Sequence, residues 1–191
     1  MLDKKYFNEV REDLLKYTGK RREVIKMAGD AQVFAKKAIF AMQRDDIKGG
    51  EECLGKAEEL LLQINKIYKI DDRILGEGSY RAALEEFVES SCFKNFIKGE
   101  EVGKIKNLDV SPELFVSGLA DVPGELLRYA IFSATDRKFD KVNACYETAE
   151  AIIEEMVDMD LTGYNRQKFD QAKQALQKLE QVRYEISLRA N

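Results

Sequence analysis

Proline interrupts this 191-residue chain only twice, at Pro112 and Pro123. Around them apolar residues recur at spacings of three and four, the period of amphipathic helices rather than strands. The pattern therefore predicts an all-α fold. It places a long first helical region through Arg44, bent near "YTGK" (17–20). A second helix runs from about Glu51 to Tyr68, with Leu54, Ala57, Leu61, Ile64 and Ile67 on one face. After "GEGS" (76–79) a third extends from about Tyr80 to Lys98. Ser111 is placed to cap a fourth, with Pro112 at its first position. A fifth covers about Lys138 to Met156. Gly163 separates it from a sixth, which runs through Leu188 with Phe169, Ala172, Leu176, Leu179, Val182 and Ile186 on one stripe. No repeat, low-complexity tract or linker intervenes, so residues 1–191 read as a single-domain bundle of about six or seven helices.

The 45% hydrophobic and 35% charged content suits long amphipathic helices. No apolar run approaches the roughly 20 residues of a membrane span, and "MLDKKYFNEV" does not have the form of a signal peptide. Cys53, Cys92 and Cys145 form no CxxC spacing and read as small buried residues of a reducing, cytoplasmic protein. The chain contains no histidine. That excludes histidine acid–base catalysis, Ser-His and Cys-His triads, HExxH zinc sites and ExxH di-iron bundles. Catalysis must then rest on carboxylates, lysine, tyrosine or a metal held by oxygen. A net charge of −4 gives no global sign of nucleic-acid binding, so any such signal must be local.

Two pairs of acids stand out. In "YRAALEEFVESSCFKNFIKGE", Tyr80, Ala83, Leu84, Phe87 and Val88 form an apolar face. Glu86 and Glu89 share another side, about 60° apart. Phe93, Phe96 and Ile97 fall on that acidic side, which puts the glutamates at the margin of a packed interface or cavity. In "SGLADVPGELLRYA" (117–130), Asp121 and Glu125 lie one helical turn apart among apolar residues. Like charges at this spacing repel, more strongly where water is excluded, and a divalent cation would answer that repulsion. Oxygen-only ligands select a hard ion, Mg²⁺ or Mn²⁺. Gly118 would leave room for a substrate backbone, and Arg128 would contact a phosphate or pair with Glu125. Read by itself, the EExxE pattern is usually just a solvated helix face.

"KRREVIKMAGDAQVFAKKAIFAMQR" (20–44) carries seven Lys/Arg against Glu23 and Asp30. Arg22, Lys26, Lys36, Lys37 and Arg44 fall within about 100° of arc, opposite Val24, Met27, Ala28, Ala31, Phe34, Ala38 and Met42. Val33 and Phe40 interrupt the stripe. A straight helix would spread these charges over about 33 Å, a track suited to a nucleic-acid backbone, with Phe40 available to stack on a base. The competing reading is a solvated face that meets Asp45, Asp46 and Glu51.

These segments resemble the translin family, in particular translin-associated factor X and its archaeal relatives. The resemblance covers most of the chain. Beyond the basic segment it includes "LEEFVES", "FVSGLADVPGELLRYA" and "KFDQAKQALQKLEQVRYEISLR", and the two central motifs are its specific part. It implies an all-α antiparallel bundle, assembly into hollow, roughly octameric shells, and RNA or single-stranded DNA held inside. The family's eukaryotic nuclease uses two kinds of subunit, whereas one chain carrying both the basic and the acidic features suggests a homo-oligomer. The factor X branch implies a metal-dependent endoribonuclease. Its acids map onto Glu86 and Glu89 in the first motif and onto Asp121 and Glu125 in the second, with Glu85 outside the set. Translin itself lacks the full acidic set and mainly binds nucleic acid. Pro123 departs from the family pattern and would kink the helix and move Glu125.

Two rival functions are consistent with the sequence. An all-α NTP pyrophosphohydrolase also binds Mg²⁺ through an EExxE helix, but its second motif is ExxD, whereas this chain has DxxxE. A catalytically silent nucleic-acid-binding shell is the other.

Overall fold

The structure is a computed structural model describing residues 1–69 and 71–188. Among the described residues seven helices and no strands occur: α1 (Lys4–Met42), α2 (Ile47–Tyr68), α3 (Asp72–Leu75), α4 (Gly78–Lys98), α5 (Pro112–Thr135), α6 (Phe139–Val157) and α7 (Gly163–Ser187). The all-α fold expected from the periodicity is present, as the antiparallel bundle that the resemblance implies. The single-turn α3 was not foreseen, because four residues are too few to establish a period. Arg189, the last residue of the C-terminal motif, lies outside the described residues.

Helix α1 is unbroken through residues 17–20. Asp3 caps it by accepting hydrogen bonds from the Lys5 and Tyr6 amides at 3.1 and 3.2 Å. Its buried stripe is Val24, Ala28, Ala31, Ala35, Ala38, Ile39 and Met42. Four alanines in that stripe let neighbouring backbones approach. A Cβ on Gly50 of α2 would come within 2.5 Å of Met42 Cγ.

Along α2 the buried stripe is Leu54, Ala57, Leu61, Ile64 and Tyr68, and Ile67 is 53% exposed, contrary to the sequence expectation. Ile67 and Tyr68 follow Ile64 by three and four residues, so both continue the period, and packing buries Tyr68. The Tyr68 hydroxyl donates to Glu23 at 2.7 Å, which satisfies the polar end of the buried ring.

Two groups of helices pack together, α1 with α2 and α4, and α5 with α6 and α7; the α4–α5 contact joins them. In that seam the Phe93 and Tyr129 rings meet edge-on, 6.0 Å apart. Ser111 caps α5, as expected, by accepting from the Leu114 amide at 3.4 Å. Helix α5 continues through buried Pro123 to Thr135, so this proline does not end it. Cys92 and Cys145 are buried, with burial pushing both thiols up to about 12, whereas Cys53 is only half-buried. No helix among the described residues is long and apolar enough to cross a membrane.

Candidate metal centre and nucleic-acid interface

The α4–α5 seam brings together the four carboxylates singled out in the sequence. Residues 84, 87 and 88 turn one side of α4 into the core, which leaves Glu86 and Glu89 facing α5 and the end of α1. Glu89 is only 8% exposed and makes no hydrogen bond or ion pair among the described residues. Burial, together with the charges of Asp121, Glu86 and Glu125, pushes its carboxyl up to about 9. It is therefore the centre of the cluster: every other member acts on it.

Its neighbours are better compensated. Burial raises Glu86, while Lys36 and the Gln32 amide pull it back; Lys36 Nζ lies 3.6 Å away. Burial raises Asp121 as well, against a hydrogen bond from Lys168. Glu125 is raised by burial and opposed by Arg128, 3.7 Å distant. The Gln43 side-chain amide donates to both the Glu125 carboxylate and, at 3.3 Å, its backbone carbonyl. Gln43 Oε1 is left buried without a hydrogen-bond partner.

Three groups were not anticipated. Glu85, set outside the motif in the sequence reading, is paired with Lys168 at 2.6 Å and accepts from the Tyr164 hydroxyl at 2.9 Å. Lys168 also pairs with Asp121, so α7 is tied to both acidic helices. Gln43 was missed too. No local pattern could reveal Lys168 or Gln43, since each meets its carboxylates only through tertiary packing.

The role expected of Gly118 is corrected. A Cβ there would come within 2.5 Å of the Glu85 carbonyl oxygen and 2.7 Å of Val88 Cβ. The missing side chain thus permits close approach of α4 and α5, not clearance for substrate.

With the side chains as they stand, no three acidic or thiol groups among the described residues converge on one ion position. The chemistry of the donors nevertheless suits a hard cation. Counted as ionised, the five carboxylates of the seam face only Lys36, Lys168 and Arg128, an excess equal to one divalent ion. Glu89, buried and unpaired, is the group such an ion would relieve.

Arg22, Lys26, Lys36 and Lys37 are exposed along the one continuous helix α1, and Arg44 is exposed in the turn just beyond its C-terminus. Lys20 and Arg21 pair with Asp71 and Glu77, and Lys36 with Glu86. Arg22, Lys26, Lys37 and Arg44 make no ion pair among the described residues, so the expected meeting of this face with Asp45, Asp46 and Glu51 does not occur. Asp45 instead binds Lys138 and Lys141, and Glu51 binds Lys98. Phe40 is 52% exposed, with the Arg128 guanidinium 5.9 Å from its ring centre. The basic track thus ends beside the acidic seam.

Fold and site together define a class: an all-α bundle with a buried carboxylate cluster at its central seam and unpaired basic charge leading to it. The family model described as "Translin family" matches residues 19–190, and the chain belongs to the translin family. Among solved structures it is similar to the archaeal AfC3PO, at 26% identity and a TM-score of 0.88, covering 97% of this chain and 100% of that one. AfC3PO solved with duplex RNA gives 26% identity and a TM-score of 0.85, over 96% and 97% of the two chains. NeC3PO of Neurospora, without ligand, shares the fold at 19% identity and a TM-score of 0.84, over 96% and 97%. No curated protein matches the chain in sequence.

Proposed function

We propose that the chain is a Mg²⁺- or Mn²⁺-dependent endoribonuclease that hydrolyses single-stranded RNA, and also single-stranded DNA, inside a hollow, octamer-like shell of its own copies. The observation that carries this reading is Glu89, a buried carboxylate with no partner and three other acids around it. Membership of the translin family and likeness to an AfC3PO solved with duplex RNA support binding of nucleic acid.

In this reading Glu86, Glu89, Asp121 and Glu125 hold the ion. When bound, it would polarise the scissile phosphate and acidify a water for attack. The remaining work falls to the chain's own groups. Arg22, Lys26, Lys37 and Arg44 attract and align the backbone without reading bases, which favours cleavage with little sequence preference. Arg128, half exposed beside Glu125, meets the phosphate nearest the acids. Glu125 or Glu86, each raised by burial, would act instead of ligating the ion and take the proton of the attacking water on a carboxylate oxygen.

One observation favours a binding-only shell: the carboxylates, as they stand, do not converge. Incubation of the purified protein with end-labelled single-stranded and duplex RNA, in Mg²⁺, Mn²⁺ or EDTA, separates the two. Internal cuts that need the ion and vanish in Glu89→Ala support the nuclease. Retained binding without cutting supports the silent shell, and hydrolysis of free nucleotides instead of RNA would point to a pyrophosphohydrolase.

A further inference from the structure

Helix α7 contributes none of the four acids of the seam, yet it sends one side chain into it. Lys168 is only 14% exposed and lies between two carboxylates on different helices, Glu85 of α4 at 2.6 Å and Asp121 of α5. One turn earlier, Tyr164 donates its hydroxyl to the same Glu85 carboxylate at 2.9 Å, and its ring centre is 5.3 Å from Lys168 Nζ. Glu85 is thus engaged twice from the α7 side, both times through Oε1. Asp121 is engaged through Oδ2, which leaves Oδ1 as its uncommitted oxygen. Lys36, the other lysine at the seam, lies at a looser 3.6 Å from Glu86 and is more than half exposed. Lys168, half-buried, is therefore the most closely held of the three cations that face the five acids among the described residues.

We infer that Lys168 is a tethered counter-ion that divides the acidic seam: it withholds Glu85 from the metal, orients Asp121 toward it, and by its fixed charge sets how tightly the divalent ion is held. The inference rests on the metal-site reading above and adds to it a positioning residue from a third helix. The physical basis is direct. An ammonium that shares Asp121 with a divalent ion repels that ion across a few ångströms, and the repulsion survives even at the dielectric constant of water. Lys168 thus trades metal affinity for geometry. Without it, Asp121 and Glu85 would both be free to take a cation, in positions unsuited to the reaction.

The test is Mn²⁺ binding followed by the electron paramagnetic resonance of free Mn²⁺, a readout independent of cutting, with RNA cleavage measured in parallel. Lys168→Met is expected to bind Mn²⁺ about tenfold more tightly than wild type, and to cut RNA at least about tenfold more slowly at saturating Mn²⁺. Lys168→Arg, which keeps the charge, is expected to bind Mn²⁺ as wild type does. Unchanged or weaker binding in Lys168→Met, or equal tightening in Lys168→Arg, overturns the inference. A merely structural lysine would weaken binding and cutting together.

Should Lys168→Met fail to fold, Glu85→Gln/Lys168→Met removes both members of the pair and leaves the charge of the seam unchanged. It is expected to bind Mn²⁺ as wild type does yet cut slowly, because Asp121 is no longer held. Wild-type cutting by this double variant overturns the positioning role. Absence of Mn²⁺ binding in the wild type is a different failure: it removes the metal site itself, and this inference with it.

Discussion

Gly118 of α5 lies so close to α4 that a Cβ on it would come within 2.5 Å of the Glu85 carbonyl oxygen. That contact sets the spacing of the two helices bearing all four carboxylates, so the geometry of the site depends on a side chain that is absent. Gly118→Ala is expected to lose about 1–3 kcal/mol of stability, even after the better helix propensity of alanine. Gly124→Ala, in the same helix with nothing within 4 Å, is expected to gain up to about 1 kcal/mol. Chemical denaturation of the pair measures both.

Glu89 bears the electrostatic cost of the seam. With its carboxyl raised to about 9, Glu89 must take up a proton on folding at neutral pH; Glu89→Gln removes that cost while keeping the volume, and should stabilise the metal-free protein by about 1–2 kcal/mol. Mn²⁺ at a hundredfold its Kd should stabilise the wild type by about 2.7 kcal/mol, and Glu89→Gln far less. Thermal melts with and without Mn²⁺ read both effects. A variant less stable than wild type in EDTA would mean that Glu89 has a partner.

The basic face of α1 makes a separate claim. Arg22→Ala/Lys26→Ala/Lys37→Ala should lower RNA affinity and flatten the dependence of log K on log salt by about 2, at roughly 0.7 per lost phosphate contact on a single strand. Stability should stay within about 0.5 kcal/mol, since these side chains are exposed. Fluorescence anisotropy at several salt concentrations gives the slope; an unaltered one would place the track elsewhere.

Phe40 sits on that face as an exposed ring with Arg128 above it. If it stacks on a base, Phe40→Ala should cost about 1–3 kcal/mol of binding to single-stranded RNA, whereas Phe40→Tyr should retain it. Titration of both variants at one fixed salt concentration decides this.

Asp45 ties the end of α1 to α6. Its backbone is left-handed, with φ of 61°, and hydrogen bonds from Lys141 and Tyr129 lower its carboxyl to about 2. A carboxyl depressed by folding contributes stability above its unfolded pKa, and that contribution is lost as pH falls through the folded one. Asp45→Asn, which tolerates the same backbone, should therefore cost about 0.5–1 kcal/mol at pH 7, a modest figure because the pair is partly exposed. The difference should shrink below about pH 4 and be gone near pH 2, as measured by urea unfolding across that range.

The helices themselves were legible in the sequence because helical burial has a local period. Spacings of three and four, two prolines and the Ser111 cap are enough to place α1, α2 and α4–α7 to within a few residues. The absence of histidine narrowed the chemistry to oxygen donors before any fold was known. The pairs Glu86/Glu89 and Asp121/Glu125 were visible for the same reason, each lying within a single helical turn. What the sequence could not reveal is everything decided between helices. Its period made Ile67 and Tyr68 nearly equivalent, and packing chose Tyr68. It marked Gly118 as an opening, and packing made it a point of contact. It left Glu85 outside the site and said nothing of Lys168 or Gln43. These residues are 47 or more positions from the partners they meet, and only the tertiary fold brings such charges close enough for Coulomb's law to matter.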